Sequence, residues 1–250
     1  MVSTEVGVLD KVMAILSTYD DHVEVLDPPA AAQRTGMSTP TAYRLMKSMA
    51  AHGLLTPTGG GYGLGPSLLR LGSLVTVGLD VLAAARPHMV ALRERLNETV
   101  ELHVLVQHSR VPIHLETSTR TVRSASQVGH ALPLHKGASS RPLVAWRADA
   151  MDLARASAAD VDDVLDEGAY SERLALIRER GWDVGLGERD AELAASAAPV
   201  FAEHGEVAAT IVVSGTVTRF RDQAHCDAAI RGALDTARLV TADLGGTFPV

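Results

Sequence analysis

The sequence from residue 27 to residue 53 reads DPPAAAQRTGMSTPTAYRLMKSMAAHG, and it contains two helix starts separated by a glycine. Each start places a polar hydrogen-bond acceptor, Asp27 or Ser38, before a proline in the first helical turn, where the missing proline N–H costs nothing. Gly36 lies between them and tolerates the left-handed conformation that ends many helices. The stretch therefore predicts a short helix, a tight turn and a second helix, which together form a helix-turn-helix.

Apolar residues around this motif predict a third helix and a hairpin. Two sets of them repeat at the i, i+3, i+4, i+7 spacing of an amphipathic helix. They are Leu9, Val12, Met13 and Leu16 before the motif, and Ala42, Leu45, Met46 and Met49 within its second helix, which Gly53 ends. Two strand-like pieces then flank Gly59–Gly61, so residues 54–65 predict a β-hairpin of the kind called a wing.

Charge is distributed unevenly along the chain, whose formal net charge is −7. Residues 1–27 hold six acids and one lysine, whereas residues 28–79 hold no acid and four bases, Arg34, Arg44, Lys47 and Arg70. A locally cationic surface attracts a phosphate backbone whatever the charge of the whole chain. Taken alone, the acid-free stretch is equally consistent with a compositional accident. The overall charge argues against a protein that coats nucleic acid or anionic membranes without specificity.

The polar face of the second helix of the motif, together with Arg34 of the first, carries hydroxyls and cations. Such groups suit base edges and phosphates. We predict that double-stranded DNA contacts Arg34, Ser38, Thr39, Thr41, Tyr43, Arg44 and Lys47. Arg34 and Lys47 are assigned to phosphates, and the wing to the backbone or the minor groove. The alternative is a small helical subdomain with a solvated face, but the turn, the wing and the charge together favour DNA binding.

A further set of apolar residues follows Pro66: Leu68, Leu71, Val75, Leu79 and Leu82. They are spaced three or four residues apart, as are the residues that form the seam between the helices of a coiled coil. They predict either a linker helix that packs against its twin in a dimer or an ordinary helix that faces a core. DNA binding favours the dimer, because one three-helix module reads few bases. We expect a DNA-binding domain over residues 1–65, a linker helix over 66–85 and a second domain over 86–250, which opens with a helix at Arg86-Pro87.

The second domain alternates between strand and helix patterns. Residues 99–107 and 111–117 predict a β-hairpin, and strands are predicted again at 182–186, 197–201 and 207–215. Residues 139–142 (SSRP) predict a helix start, and helical patterns occupy 149–156, 160–166, 171–180 and 221–244. This order predicts an α+β fold, with helices on one side of an antiparallel sheet and a free sheet face that could close over a small molecule.

Several motifs, in order along nearly the whole chain, resemble the IclR family of bacterial transcriptional regulators. They are residues 7–16 (GVLDKVMAIL), 38–45 (STPTAYRL), 62–66 (YGLGP), 85–87 (ARP), 129–135 (GHALPLH), 181–182 (GW), 197–201 (AAPVF) and 213–215 (VSG). The resemblance implies a winged helix-turn-helix, a linker helix and a GAF-like effector-binding domain. It also implies homodimers or homotetramers on palindromic operators, with DNA affinity altered by a small metabolite.

The resemblance also places an effector pocket between the sheet and the loop after the Leu-Pro-Leu-His motif. The contact residues that it implies are Ala138, Ser139, Ser140, Glu188, Ala195 and Ser214. Serine hydroxyls and N–H groups at a helix start suit a carboxylate, such as that of an organic or aromatic acid. Ser139 and Ser140 are equally consistent with helix N-caps. The chain departs from the family where Ser140-Arg141 replaces Gly-Lys, Ala195 replaces a cysteine, and Gly185-Leu186 replaces two acids.

The sequence gives little sign of metal binding or catalysis. Glu101, Glu116 and five histidines within residues 103–135 could hold a metal, but residues paired at i and i+2 are common on solvated sheet faces. We therefore predict no metal or other cofactor. No nucleophile, phosphate-loop or dinucleotide motif is present, so we predict no enzyme. With the lone Cys226 and no visible signal peptide or membrane span, we expect a cytoplasmic protein. The alternative function is a ligand- or metal-sensing module with vestigial DNA binding.

Overall fold

The structure is a computed structural model that describes residues 7–19, 23–72, 79–124 and 126–250. The chain divides after residue 75 into two compact units. Residues 1–6, on which the expectation about a signal peptide rests, and the predicted seam residue Val75 lie outside the described part. None of the described helices is long and apolar enough to cross a membrane.

The described part of the first unit combines helices with one hairpin. The helices are α1 (Val8–Leu16), α2 (Pro28–Thr35), α3 (Thr39–Ala51) and α4 (Pro66–Gly72), and the strands are β1 (Leu55–Thr58) and β2 (Gly61–Leu64). Antiparallel pairing sets Leu55 opposite Leu64 and Thr58 opposite Gly61. The predicted helix-turn-helix and wing are therefore confirmed.

Local capping chemistry sets the turn of this motif. The Asp27 carboxylate accepts a hydrogen bond from the Ala30 N–H at 2.7 Å, and Gly36 ends α2 with a φ of +70°. Ser38 has the extended backbone of an N-cap. Its hydroxyl, however, lies 2.9 Å from the Thr41 hydroxyl and makes no capping bond to a backbone N–H. The second helix is thus started by backbone conformation and proline rather than by a side-chain cap.

The core of the first unit is narrower than the apolar patterns predict. The buried residues are Ile15, Leu26, Ala31, Ala32, Ala42, Met46, Met49 and Leu55. The sequence predicts Leu9 and Met13 in the apolar stripe, but they are 72% and 52% exposed. The reason is that α1 contacts the rest of the unit through Val12 and Leu16 of the predicted stripe together with Ile15, which turns Leu9 and Met13 towards solvent.

The second unit contains an antiparallel sheet and helices, as an α+β fold requires. Its strands are β3 (Thr99–Val106), β4 (Ser109–Glu116), β5 (Leu132–Pro133), β6 (Asp183–Leu186), β7 (Leu193–Phe201) and β8 (Val207–Thr216). They form one sheet in the order β5-β4-β3-β8-β7-β6, so the predicted hairpin of β3 and β4 is confirmed. Its described helices are α5 (Leu79–Leu96), α6 (Arg141–Val144), α7 (Ala150–Ala159), α8 (Glu167–Arg180), α9 (Val217–Phe220) and α10 (Gln223–Asp243).

Helices lie on both faces of this sheet, so the prediction of helices on one side is wrong. α5 and α10 pack against one face, which presents the alternate β3 residues Val100, Leu102 and Val104. On the other face, α6 contacts β7 and β8, and α8 packs against α6. The Thr210 hydroxyl of β8 also donates to the Ser139 carbonyl near the start of α6. The face that carries Glu101 and His103 is therefore partly covered, which leaves a cavity instead of an open sheet.

Two helix predictions are wrong. α5 continues through Pro87, so no helix starts at Arg86-Pro87. Proline cannot donate to the Ala83 carbonyl, but both residues are exposed, and water can bond to that carbonyl instead. Residues 160–166 form turns and no helix; Asp162 takes a φ of +51°, and Asp166 begins α8 by accepting from the Ala169 N–H.

The predicted seam residues have different environments. Leu68 is half-buried and Leu71 is exposed in the first unit, whereas Leu82 packs against the core of the second. The Leu79 side chain lies outside the described part of the structure. Dimerisation through these residues therefore stays a prediction.

Candidate functional site

One face of α3 is polar and open to solvent. Its apolar face packs into the core of the first unit. Of the predicted contacts on this helix and its N-cap, Ser38, Thr39, Tyr43, Arg44 and Lys47 are exposed and Thr41 is half-buried. The arrangement is that of a recognition helix, because hydroxyl and guanidinium groups can reach the edges of base pairs when such a helix lies in the major groove.

The two cations of this face, Arg44 and Lys47, are open to solvent. Neither Arg44 nor Lys47 has a hydrogen-bond or ion-pair partner among the described residues. Arg34 is exposed on α2 and donates to the Thr18 carbonyl at 3.4 Å, which places its guanidinium beside the end of α1. An exposed cationic surface attracts phosphate.

The wing is anchored through Tyr62, one residue pair from its turn. Leu26 and Tyr62 exchange two backbone hydrogen bonds of 2.9 Å, and the Tyr19 hydroxyl donates to the Tyr62 carbonyl at 2.8 Å. Gly61 has a φ of +145°, and a Cβ there would lie 2.5 Å from the Leu26 carbonyl oxygen, so the position requires glycine. Thr56, Thr58 and the glycines at the tip are exposed, as a wing that contacts a DNA backbone must be.

The second unit holds a small cavity of about 50 Å³ on the sheet face of Glu101 and His103. Of the six residues predicted for an effector pocket, the structure places Ala138, Ser139, Glu188, Ala195 and Ser214 in its lining. Ser140 does not line it. That side chain is fully buried, and its hydroxyl donates to the carbonyls of Lys136 and Gly137, so it holds the turn before α6.

Sequence reasoning missed a buried polar network that forms one wall of this cavity. His103 Nε2 lies 2.7 Å from Glu101 Oε2, and Arg110 Nη1 lies 3.3 Å from His103 Nδ1. The Ser214 hydroxyl donates to the other oxygen of Glu101. Glu101 and His103 do share a strand face by their spacing, but that spacing alone suggested a metal. Arg110 carries no local signal, because it reaches the network only when β4 pairs with β3.

The hydrogen bonds define the protonation state of the network. Arginine can only donate, so His103 Nδ1 accepts from Arg110, and the proton of a neutral ring sits on Nε2 and is donated to Glu101. Burial, together with the charges of Arg110 and Arg189, lowers the pKa of His103 against the opposing influence of Glu101. Burial alone would raise the pKa of Glu101, but hydrogen bonds from His103 and Ser214 lower it to about 2. The buried charges of Glu101 and Arg110 therefore balance each other.

We expect the second unit to lose stability as the pH falls below about 6.5, because unfolded His103 takes up a proton that the buried ring excludes. One such group changes the free energy of unfolding by at most about 1.4 kcal/mol per pH unit, and this is the slope to be measured. His103→Gln should remove this slope, since a glutamine amide can donate to Glu101 and accept from Arg110 without titrating. Urea unfolding at about pH 7 and about pH 5.5 measures it.

This pH window isolates His103 from its partner. Glu101, whose pKa is lowered from 4.5 to about 2, contributes stability that is lost only as the pH falls from about 4.5 towards 2. His204→Gln, at an exposed histidine, is the control and should keep the wild-type slope. Equal slopes in the wild type and His103→Gln would mean that His103 is already protonated in the folded protein.

Two family models match this chain. The model described as the IclR helix-turn-helix domain matches residues 8–59, and the model of the bacterial transcriptional regulator IclR C-terminal matches residues 73–242. The chain belongs to the IclR family. It is therefore a DNA-binding transcriptional regulator, and IclR-family proteins are regulators rather than enzymes.

Relatives of the IclR family resemble the chain over most of its length. The transcriptional regulator BhcR of Paracoccus denitrificans is 32% identical over 219 residues, which are 81% of this chain and 76% of that protein. The transcriptional repressor IclR of Escherichia coli is 28% identical over 209 residues, or 76% of this chain and 73% of that protein. An IclR homolog from Microbacterium hydrocarbonoxydans, solved with 4-hydroxybenzoate, has a TM-score of 0.77 at 20% identity and covers 95% of this chain and 99% of its own. That likeness supports the fold.

Ser140-Arg141 stands where the family resemblance leads us to expect Gly-Lys, and the structure shows what Arg141 binds. Arg141 is buried, donates to Asp183 through Nε, and binds both oxygens of Glu188 at 2.7 and 2.9 Å. Burial alone would lower the pKa of Arg141, but these two carboxylates raise it. Glu188 also accepts from the Gly137 N–H at 3.2 Å, so its carboxylate is already engaged by the protein.

The histidines that suggested a metal form separate pairs. His114 lies 2.8 Å from Glu116, and His135 lies 3.2 Å from Asp163. Within the described ranges, no group of three or more histidine, cysteine, aspartate or glutamate side chains is placed to hold a metal ion.

Proposed function

We propose that this IclR-family regulator binds a palindromic operator in the cytoplasm as a homodimer or homotetramer, and that a small organic acid changes its affinity for that operator. Residues 1–65 would bind DNA, residues 66–85 would join and pair two chains, and residues 86–250 would form a GAF-like effector domain. The observation that carries the proposal is the exposed face of α3, where Arg44 and Lys47 have no partner among the described residues.

The charge of the surrounding sequence supports this role for α3. Residues 28–79 contain no acid, so the helix, its turn and the wing present cations and hydroxyls to a duplex, and Asp10 of α1 lines the same surface groove as Ser38 and Thr41. Arg44 is assigned to base edges together with Thr39, Thr41 and Tyr43, and Lys47 and Arg34 are assigned to phosphates. The wing would follow the DNA backbone or the minor groove.

The cavity of the second unit supports the effector response. Ala138, Ser139, Ala195 and Ser214 line it, and the Ser139 hydroxyl, which has no partner among the described residues, can donate to a carboxylate or carbonyl oxygen. The fold neighbour that holds 4-hydroxybenzoate binds an acid of this class. Such a ligand would alter DNA affinity only if it binds one arrangement of the paired chains more tightly than another.

The test is operator binding by Arg44→Ala. The operator is obtained by selecting duplexes from a random pool with the wild-type protein, and affinities are measured at several salt concentrations. We expect Arg44→Ala to weaken binding about tenfold and to relax the sequence preference at one position. Lys47→Ala should weaken binding on all sequences alike and reduce the salt slope by about one.

The control removes an equal charge elsewhere. Arg155 is an exposed arginine of the second unit, and Arg155→Ala should bind the selected duplex as the wild type does. Unchanged affinity of Arg44→Ala at fixed salt would reject its assignment. Failure of the wild type to enrich any duplex would favour a ligand-sensing module with vestigial DNA binding.

A further inference from the structure

The cavity contains a buried cation with a free hydrogen-bond donor. Arg110 is only 3% exposed, and it lines the cavity. Its Nε donates to the Pro133 carbonyl at 3.3 Å and its Nη1 to His103. Its Nη2 has no hydrogen-bond partner among the described residues. A guanidinium group that keeps N–H donors free at a cavity is suited to bind an anion, because hydrogen bonds between charged groups are stronger than those between neutral groups.

We propose that Arg110 binds the carboxylate of the effector through Nη2, and that Glu101 and His103 are positioning residues for its guanidinium; this role presupposes the proposed effector response. Nothing in the IclR-family resemblance assigns a function to these three positions. The guanidinium is held at Nε and Nη1, so little side-chain freedom remains to be lost when an anion arrives.

Hydrogen-bond donors near Arg110 suit a carboxylate, while the acid Asp190 and Glu188, which Arg141 binds, also line the cavity. Ser139 is buried against the cavity, and its hydroxyl also has no partner among the described residues, so it can donate to the second oxygen. Arg189 lines the same cavity and is exposed. Burial and the charge of Arg189 lower the pKa of Arg110 to about 10, against the opposing charge of Glu101. An anion between these arginines relieves their repulsion.

The geometry also explains why His103 must be neutral for this task. A second ring proton on Nδ1 would point at the Arg110 N–H and push the guanidinium away. Gly137 leaves the space beside the free donor open, since a Cβ at that position would lie 3.6 Å from Nη2. The small cavity, about 50 Å³, suits a compact acid.

The experiment measures binding of two carboxylates, propionate and benzoate, and of their neutral isosteres propionamide and benzamide, to the full chain by calorimetry and ligand-observed NMR. The wild type should bind at least one carboxylate and neither amide. Glu101→Gln/Arg110→Met removes both members of the buried charge pair, so that no uncompensated charge remains. It should weaken carboxylate binding about ten- to a hundredfold. Arg110→Lys, which keeps the charge, should be intermediate.

Further variants separate positioning from folding. His103→Gln can keep the hydrogen bonds to Glu101 and from Arg110, so it should retain carboxylate affinity. His103→Ala removes both bonds and frees the Arg110 guanidinium, so it should weaken carboxylate binding. Arg147→Met, at an exposed arginine, should bind as the wild type does. The proposal is overturned if the wild type binds no carboxylate, binds amides equally well, or loses nothing in the double variant. Binding of the selected duplex by the wild type is measured separately without ligand, so that a failure of DNA binding is distinguished from a failure of carboxylate binding.

Discussion

Replacing Asp183 with alanine should lower the free energy of unfolding of the second unit by about 3–5 kcal/mol. The Asp183 side chain is fully buried, and its carboxylate accepts from Arg141, Arg173 and Arg180. Removing it leaves the buried Arg141 with only Glu188 and takes away the carboxylate that the other two arginines share. A buried charge that loses its partner costs more than the pair contributes when intact.

Urea unfolding followed by tryptophan fluorescence measures this effect, because both tryptophans, Trp146 and Trp182, lie in the second unit. Asp183→Asn should lose less stability than Asp183→Ala, since an amide oxygen can still accept from one arginine. Asp152→Ala breaks an exposed pair with Arg155 and should leave the unfolding midpoint in place. If Asp183→Ala and Asp152→Ala have the same urea midpoint, Asp183 does not hold the three arginines that donate to it.

A loss of similar size, about 3–5 kcal/mol, is expected for Glu98→Ala. Its side chain is fully buried at the start of β3, and its carboxylate accepts from Arg219 through two nitrogens and lies 3.0 Å from His225 Nε2. Arg219 also donates to the Val122 carbonyl at 3.2 Å, which ties the segment after β4 to the body of the unit. Without Glu98, that arginine loses its partner and this attachment weakens.

A second variant displaces Glu98 without removing its charge. A Cβ at Gly215 would lie 2.7 Å from Glu98 Oε2 and 3.0 Å from the Phe220 ring, so Gly215→Ala should also destabilise the second unit. Asp149→Ala, which breaks an exposed pair with Arg147, is the control and should not shift the urea midpoint. A wild-type midpoint for Glu98→Ala would show that Arg219 and His225 do not depend on this carboxylate.

The features that were predictable from the sequence are those set by neighbouring residues. Asp27 caps α2 and Gly36 ends it because capping involves groups within four positions of each other. The cationic face of α3 follows from helical periodicity, since the buried apolar residues fix which side remains exposed. The β3–β4 hairpin was predictable for a similar reason, since a short turn leaves few ways to pair.

Several predictions from the sequence were wrong because they depend on which side chains and carbonyls reach solvent. That exposure is decided only when the whole unit folds. Pro87 is accepted within α5 because Ala83 faces water, and the sequence does not state that. Leu9 and Met13 fit an apolar stripe, yet they are exposed, and α1 packs against the described core of its unit through Val12 and Leu16 of that stripe, together with Ile15. Ser140 resembles a ligand contact or an N-cap, but it is fully buried and its hydroxyl donates to the carbonyls three and four residues before it.

From the order of its residues alone, this chain specifies a winged helix-turn-helix with a cationic recognition helix, an antiparallel α+β unit and membership of a regulator family. Only the tertiary structure brings Arg110 beside His103, and Arg141 between Asp183 and Glu188. Those partners are joined across strands and loops, up to 47 positions apart. Helix caps and helical periodicity involve residues a few positions apart. Buried charges are paired by residues distant in sequence, so their partners are defined only by the folded sheet and its loops.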